Sequence, residues 1–291
     1  MTGTATAAQL TMPGLWLTGL ERGLMLAGLA LALGGLAGRG LVRYYKGPRP
    51  GPAPAPWALR GSLLGLAACA ALLLTALAGP GVAAQLARPP APGLRSGGTA
   101  EIAAIELALF ALAAVLLRVR RSGLAAPLLC GVILAEGIRS HPEGVVPVGG
   151  ALLACCHVTP ALLWAGMLAY ALRAALAWRH DPAAARGIIR LYATAAAWLF
   201  GAVVVTGLIA ALVLVPLGSL FTTAYGLFLV AKAAVVCVAA CLAMAGRRWL
   251  GRSSVSGTRP GLATRLEIGA LATVLAITGI LTVLTPPAKP I

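Results

Sequence analysis

The stretch GIIRLYATAAAWLFGAVVVTGLIAALVL, residues 187–214, contains no charged residue beyond Arg190. Crossing a hydrocarbon core of about 30 Å takes roughly 20 mostly apolar helical residues, and this run exceeds that length. It reads as a membrane-spanning helix. Working outward, seven further stretches of the same kind occupy 14–38, 58–79, 101–118, 122–138, 146–172, 222–246 and 265–284. They use most of the 291 residues, of which 60% are hydrophobic and only 10% charged, with a mean hydropathy of +0.93. The expectation is an all-α polytopic protein: a bundle of eight transmembrane helices forming one membrane domain over residues 1–291. The first segment has no basic region ahead of it and is too long for a signal-peptide core, so it reads as a retained helix.

The formal net charge of +16 does not point to nucleic acid, because the basic residues are parcelled among loops and not gathered on one surface. Of 23 Lys and Arg residues, 17 fall in the odd-numbered loops, including Arg39, Arg43 and Lys46 in the first and Arg247, Arg248 and Arg252 in the last. Arg22, Arg88, Arg95, Arg139 and Lys289 are assigned to even loops and tails, and Lys232 lies within a hydrophobic segment. The positive-inside rule then places the odd loops in the cytoplasm and both termini outside. All six cysteines fall in hydrophobic segments, so no disulfide framework is implied. Two Pro/Gly-rich stretches, Gly47 to Pro56 and Gly79 to Gly98, read as linkers. The first and fifth segments share small residues at similar depth, Gly34-Gly35 and Ala165-Gly166, which raises a parallel four-plus-four duplication beside the plainer reading of small residues at helix interfaces.

The residues that can carry chemistry are the polar ones at depth, since a charge at a helix centre costs about 2.5–3.5 kcal/mol on insertion scales. Lys232 lies about 15 Å into the seventh segment and His157 about 16 Å into the fifth, at one level near the midplane. Lys232 is either a cation facing an ion path or ligand, or a buried structural ammonium. A neutral His157 can ligate a metal or gate a path. Pro160 frees the carbonyl of Cys156 beside it, and Cys155-Cys156-His157 concentrates ligand types that suit Cu(I), although three consecutive helical side chains fan too widely for one ion.

Glu136 lies beneath His141 and Glu143, a cluster that reads as a cation entry site or as exposed acids near a histidine by chance. Glu106 sits five residues into the third segment, close to an interface, and Glu267 follows Arg265 near the start of the eighth. Cys237 and Cys241 share a helix face and read as packing. Walker A, Cys-x-x-Cys and Asp-Lys-Thr-Gly motifs are absent, as is a Met-x-x-x-Met ladder, so ATP-driven pumping is not expected. A paired-histidine membrane cytochrome needs several deep histidines, and only His157 qualifies.

From His141 onward the polar residues resemble the copper resistance protein D (CopD) family. His157-Val-Thr-Pro-Ala-Leu-Leu-Trp164-Ala-Gly166 is similar to that family's membrane histidine followed by Trp-x-Gly-Gly, with Ala165 replacing the first glycine. Thr206-Gly207, then Thr222-Thr223-Ala-Tyr225-Gly226 ahead of Lys232, and finally Arg265-Leu-Glu267 running to Pro286-Pro287 look like later family motifs. The resemblance covers 141–288, whereas the four helices of 1–140 match only in hydropathy.

It implies a bacterial inner-membrane protein, not an enzyme, that moves copper, as Cu(I) or Cu(II), in uptake or tolerance with a periplasmic copper-binding partner of the CopC kind. On that reading His157, His141, Glu143, Glu136 and Cys156 are the metal candidates, and Lys232, Tyr225, Trp164, Glu106 and Glu267 line the path or hold it. Two other classes stand beside it: a factor that delivers copper to a respiratory oxidase without transport, and a haem-binding electron carrier.

Overall fold

In the computed structural model the described residues are 14–47, 50–78, 99–140, 147–252, 262–284 and 286–287. They fold as α1 (Leu15–Tyr44), α2 (Ala58–Ala78), α3 (Thr99–Arg118), α4 (Ser122–Arg139), α5 (Pro147–Ala177), α6 (Pro182–Leu214), α7 (Ala224–Arg252) and α8 (Leu262–Leu281), joined in places by single turns, and no strand occurs among the described residues. Seven of these, α1 to α7, are long and apolar enough to cross a membrane. The chain is a multi-pass, all-helical membrane protein.

The boundaries follow local chemistry. α6 begins five residues earlier than apolarity alone suggests because Asp181 caps it: its Oδ1 accepts from the backbone N–H groups of Ala183 and Ala184, each at 3.0 Å, and Pro182 fits the first turn, which needs no donor. Pro127 and Pro160 are absorbed inside α4 and α5 without ending either helix.

α1 lies at the centre, with 61% of its most apolar window buried, against 11% for α6 and 6% for α7. It packs on α2, α5 and α8, while α5 packs on α1, α4 and α6. Helices in lipid gain little from apolar burial alone, so close contact through small residues carries the association. A Cβ on Gly28 would meet the backbone N of Gly65 at 2.5 Å and the carbonyl of Gly61 at 2.7 Å, which fixes the α1–α2 crossing. A π-helical turn, Ala30–Gly34, interrupts α1 where Gly34 meets Gly166 of α5, and a Cβ on Gly166 would run into the carbonyl of Ala30. The small residues that α1 and α5 share therefore face each other at one crossing.

The stretch before α2 is tied down along its described part. Tyr170 donates to the carbonyl of Pro54 at 3.0 Å, and Arg173 donates to that of Ala55 at 2.6 Å while its guanidinium lies 4.5 Å over the ring of Trp57. The linker from Gly79 to Gly98 lies outside the described residues.

Arg22 is not in a loop or tail. It is buried within α1 beside buried Glu21, and Arg139 is the buried last residue of α4. Neither is a solvent-facing topological marker.

Candidate functional site

α6 and α7 scarcely touch, although they are consecutive. Two apolar clusters hold them to the bundle at different levels. At one end Leu214, Val215, Ala224 and Tyr225 pack with Leu15 of α1 and Leu281 of α8. Further down, Ala239 of α7 joins Trp164, Met167 and Leu168 of α5, Tyr192 and Ala196 of α6, and Leu271 of α8. Between these clusters is a cavity of about 410 Å³, walled by α4, α5, α6, α7 and α8 with one residue of α1. Its rim includes the exposed side chains of Val204 and Leu208 on α6 and Ala233 on α7, so it opens sideways between those two helices.

His157 and Lys232 both line this cavity. Measured from the observed helix starts they lie about 15 Å and about 12 Å along α5 and α7, one level to within a turn. Local chemistry holds the imidazole in one orientation. Its Nδ1 is 3.0 Å from Oγ1 of Thr206, and that hydroxyl spends its only proton on the carbonyl of Ala202 at 2.6 Å. With its proton so used the hydroxyl oxygen is free to accept, the arrangement in which the neutral ring carries its proton on Nδ1 and its lone pair on Nε2. Gly207 makes the room: a Cβ there would stand 2.9 Å from Cε1 of the ring. Thr206-Gly207 thus works as a seat for His157, one residue bonding the ring and the next leaving space for it. Ligating histidines are commonly oriented in this way through the second nitrogen.

Tyr225 and Glu136 also line the cavity. Glu136 is held by Arg139 one turn on, and the same Nη2 reaches both oxygens of Glu106 at 3.1 and 3.2 Å. Glu106 is fully buried behind that pair, outside the lining. Nearby, Arg22 donates to the carbonyl of Thr282 at 3.1 Å, and Glu21 accepts from Thr75 at 2.9 Å. Five charged side chains from three helices are therefore buried here, three of them, Arg22, Glu136 and Arg139, on the cavity wall.

The other candidates are elsewhere. Cys156 is exposed and outside the lining, while Cys155 points its thiol at the carbonyl of Ile133, 3.5 Å away. Trp164 is buried in the cluster below the cavity, edge-on to Phe200 at 5.5 Å, and its carbonyl accepts from Tyr192 at 3.4 Å. Glu267 is buried in α8, away from the cavity. His141 and Glu143 lie outside the described residues. Cys237, read from sequence as packing, is exposed and lines the cavity. The sequence reading passed over Glu21 and Arg22 as a pair, although adjacent opposite charges seven and eight residues into an apolar run are the signal that marks them.

Among the described residues, no three His, Cys, Asp or Glu side chains gather closely enough to hold a metal ion. The donors on the cavity wall suited to copper are the imidazole of His157 and the thiol of Cys237, two ligands in an open chamber.

No curated protein and no solved structure matches the chain. The family model for copper resistance protein D matches residues 186–281, about a third of the sequence. It takes in α6 with the Thr206-Gly207 seat, α7 with Tyr225, Lys232 and Cys237, and α8, whereas α5 with His157 lies before it. Over this region the chain is similar to the copper resistance protein D (CopD) family.

Proposed function

We propose that this protein carries copper across the bacterial inner membrane, with the Nε2 atom of His157 as the ligand that receives the ion at mid-bilayer. The observation that carries the reading is the oriented imidazole: Thr206 fixes its tautomer and Gly207 its position, and the open nitrogen belongs to a ring on the wall of a chamber within the bundle. A side chain held this way in an apolar interior is prepared to coordinate, not merely to pack. One imidazole and one thiol on an open wall suit an ion that passes and is released, because a resident ion is held by a closed set of three or four ligands.

Lys232 shares the chamber and sets a condition on what passes. Like charges about 4 Å apart at an effective dielectric of 20 repel by roughly 4 kcal/mol, and by less at longer range. Copper offsets such a cost by bonding to nitrogen and sulfur, whereas sodium and potassium gain little from those donors. The ammonium thus favours a coordinating ion over a hard one.

In this reading α8 is the eighth span, and both termini lie outside the cytoplasm. With Arg22 and Arg139 buried, the basic residues outside the odd loops and exposed to charge sorting shrink to Arg88, Arg95 and Lys289, which sharpens the bias that orients the chain. The α1 N-terminal end of the cavity then faces the periplasm, where Glu136 receives the ion that a small copper-binding protein of the CopC kind delivers.

The test is copper-dependent accumulation in cells expressing His157→Ala at wild-type membrane levels. Loss of accumulation is the expected result. Unchanged accumulation removes His157 from the mechanism, and a wild-type protein that supplies copper to an oxidase with no change in accumulation makes it a delivery factor.

A further inference from the structure

The cavity wall carries more cations than carboxylates, although Glu106 and Glu21 lie buried behind it. Arg22, Arg139 and Lys232 all line it, and its one carboxylate, Glu136, is already held by Arg139. Among the described residues the Nε of Arg22 and the Nε and Nη1 of Arg139 are buried with no hydrogen-bond partner. Arg22 is 7% exposed and the side chain of Arg139 is 9% exposed, so bulk water does not reach these donors freely. Buried cations are retained in membranes where something anionic answers them.

The remainder of the wall is apolar, and the opening faces sideways between α6 and α7, whose exposed surfaces are themselves apolar. An ion arriving from water has no polar route through that side, whereas a molecule already in the bilayer does. A volume of about 410 Å³ is within the range of ligand pockets and exceeds what a small anion needs. Donors at the inner wall and an apolar slot leading out from them fit a charged head with a chain behind it.

We propose that this cavity binds an anionic amphiphile from the bilayer, with its phosphate or carboxylate head on Arg22, Arg139 and Lys232 and its acyl chain lying in the slot between α6 and α7. The head supplies acceptor oxygens to the guanidinium donors left without a partner, and its charge offsets the field of Lys232 within the chamber. The proposal stands on the donors and the slot and does not depend on copper passing through.

The experiment uses the full-length protein, purified in mild detergent, stripped of lipid and kept free of copper. It is titrated with phosphatidylglycerol, oleate, phosphatidylcholine or inorganic phosphate and read by native mass spectrometry. Phosphatidylglycerol or oleate should bind at least about tenfold more tightly than phosphatidylcholine, and which of the two leads assigns the head as phosphate or carboxylate. Lys232→Met, an apolar replacement on a lipid-facing helix, should lose about tenfold, equivalent to about 1.4 kcal/mol. Ala233→Phe, which narrows the slot and leaves every cation in place, should weaken both amphiphiles together. Equal binding of phosphatidylcholine, displacement of phosphatidylglycerol by inorganic phosphate alone, or no effect of Lys232→Met overturns the proposal. Because copper is absent throughout, such a failure leaves the copper reading untouched, and loss of copper accumulation does not bear on lipid binding.

Discussion

Replacing Thr206 with Val removes one oxygen and almost no volume, so it isolates the bond that orients His157. In the native protein Nδ1 donates to Oγ1 over 3.0 Å, and the hydroxyl passes its own proton to Ala202 over 2.6 Å. In Thr206→Val the Nδ1 proton faces a methyl group. A buried donor left unpaired costs about 1–3 kcal/mol, and the ring can escape that cost by turning or by moving its proton to Nε2. Either escape takes the lone pair away from the cavity. Loss of such an orienting partner lowers metal affinity by about 10–100-fold.

The helix itself should be almost unaffected, because the lost bond to Ala202 is a side-chain addition to an intact backbone ladder. The assay is Cu(I) affinity of the purified protein by competition with a chromophoric chelator, alongside its melting midpoint in detergent. Gly207→Ala supplies an independent arm: its Cβ would stand 2.9 Å from Cε1 and push the ring without removing a hydrogen bond. An affinity within about threefold of wild type in both variants, with the midpoint unchanged, refutes the claim that this seat prepares the imidazole as a ligand.

Two further substitutions test the scaffold. Gly166→Ala puts a methyl group against the carbonyl of Ala30 where α1 and α5 cross, and since the clash is with backbone, a loss of about 1–3 kcal/mol is expected as a lower melting midpoint in detergent. Glu106→Gln removes one of the two buried carboxylates paired with Arg139 and should cost about 1.5–3 kcal/mol by denaturant titration, with partial recovery in the double variant that also carries Arg139→Met; an unchanged midpoint in the single variant contradicts the buried pair.

Seven of the expected spans were legible because each needs only an apolar run of sufficient length, and the helix limits differ from that reading by a few residues where caps and basic ends extend them, as at Asp181. The shared level of His157 and Lys232 was legible too, since depth along a helix follows from counting. What counting cannot give is which face of a helix meets which neighbour. Arg22 and Arg139 looked like loop charges because a basic residue near a helix end suits either side of the interface, and only packing places them beside Glu106 and Glu136. Cys156 looked near to His157 because they are adjacent in sequence, yet 100° of helical turn sends one out of the bundle and the other to the cavity wall. Cys237 was hidden for the converse reason: nothing in α7 alone shows that α6 stands away from it. Gly34 and Gly166 suggested a repeat, and their direct contact is a property of the crossing that neither helix encodes by itself.

The central claim is that copper passes through this bundle by way of one oriented imidazole. Copper flux into liposomes reconstituted with equal amounts of wild-type and His157→Ala protein tests it most directly. The account predicts flux in the first and a rate near that of protein-free liposomes in the second, whereas equal rates in the two, or no flux in either, contradict it.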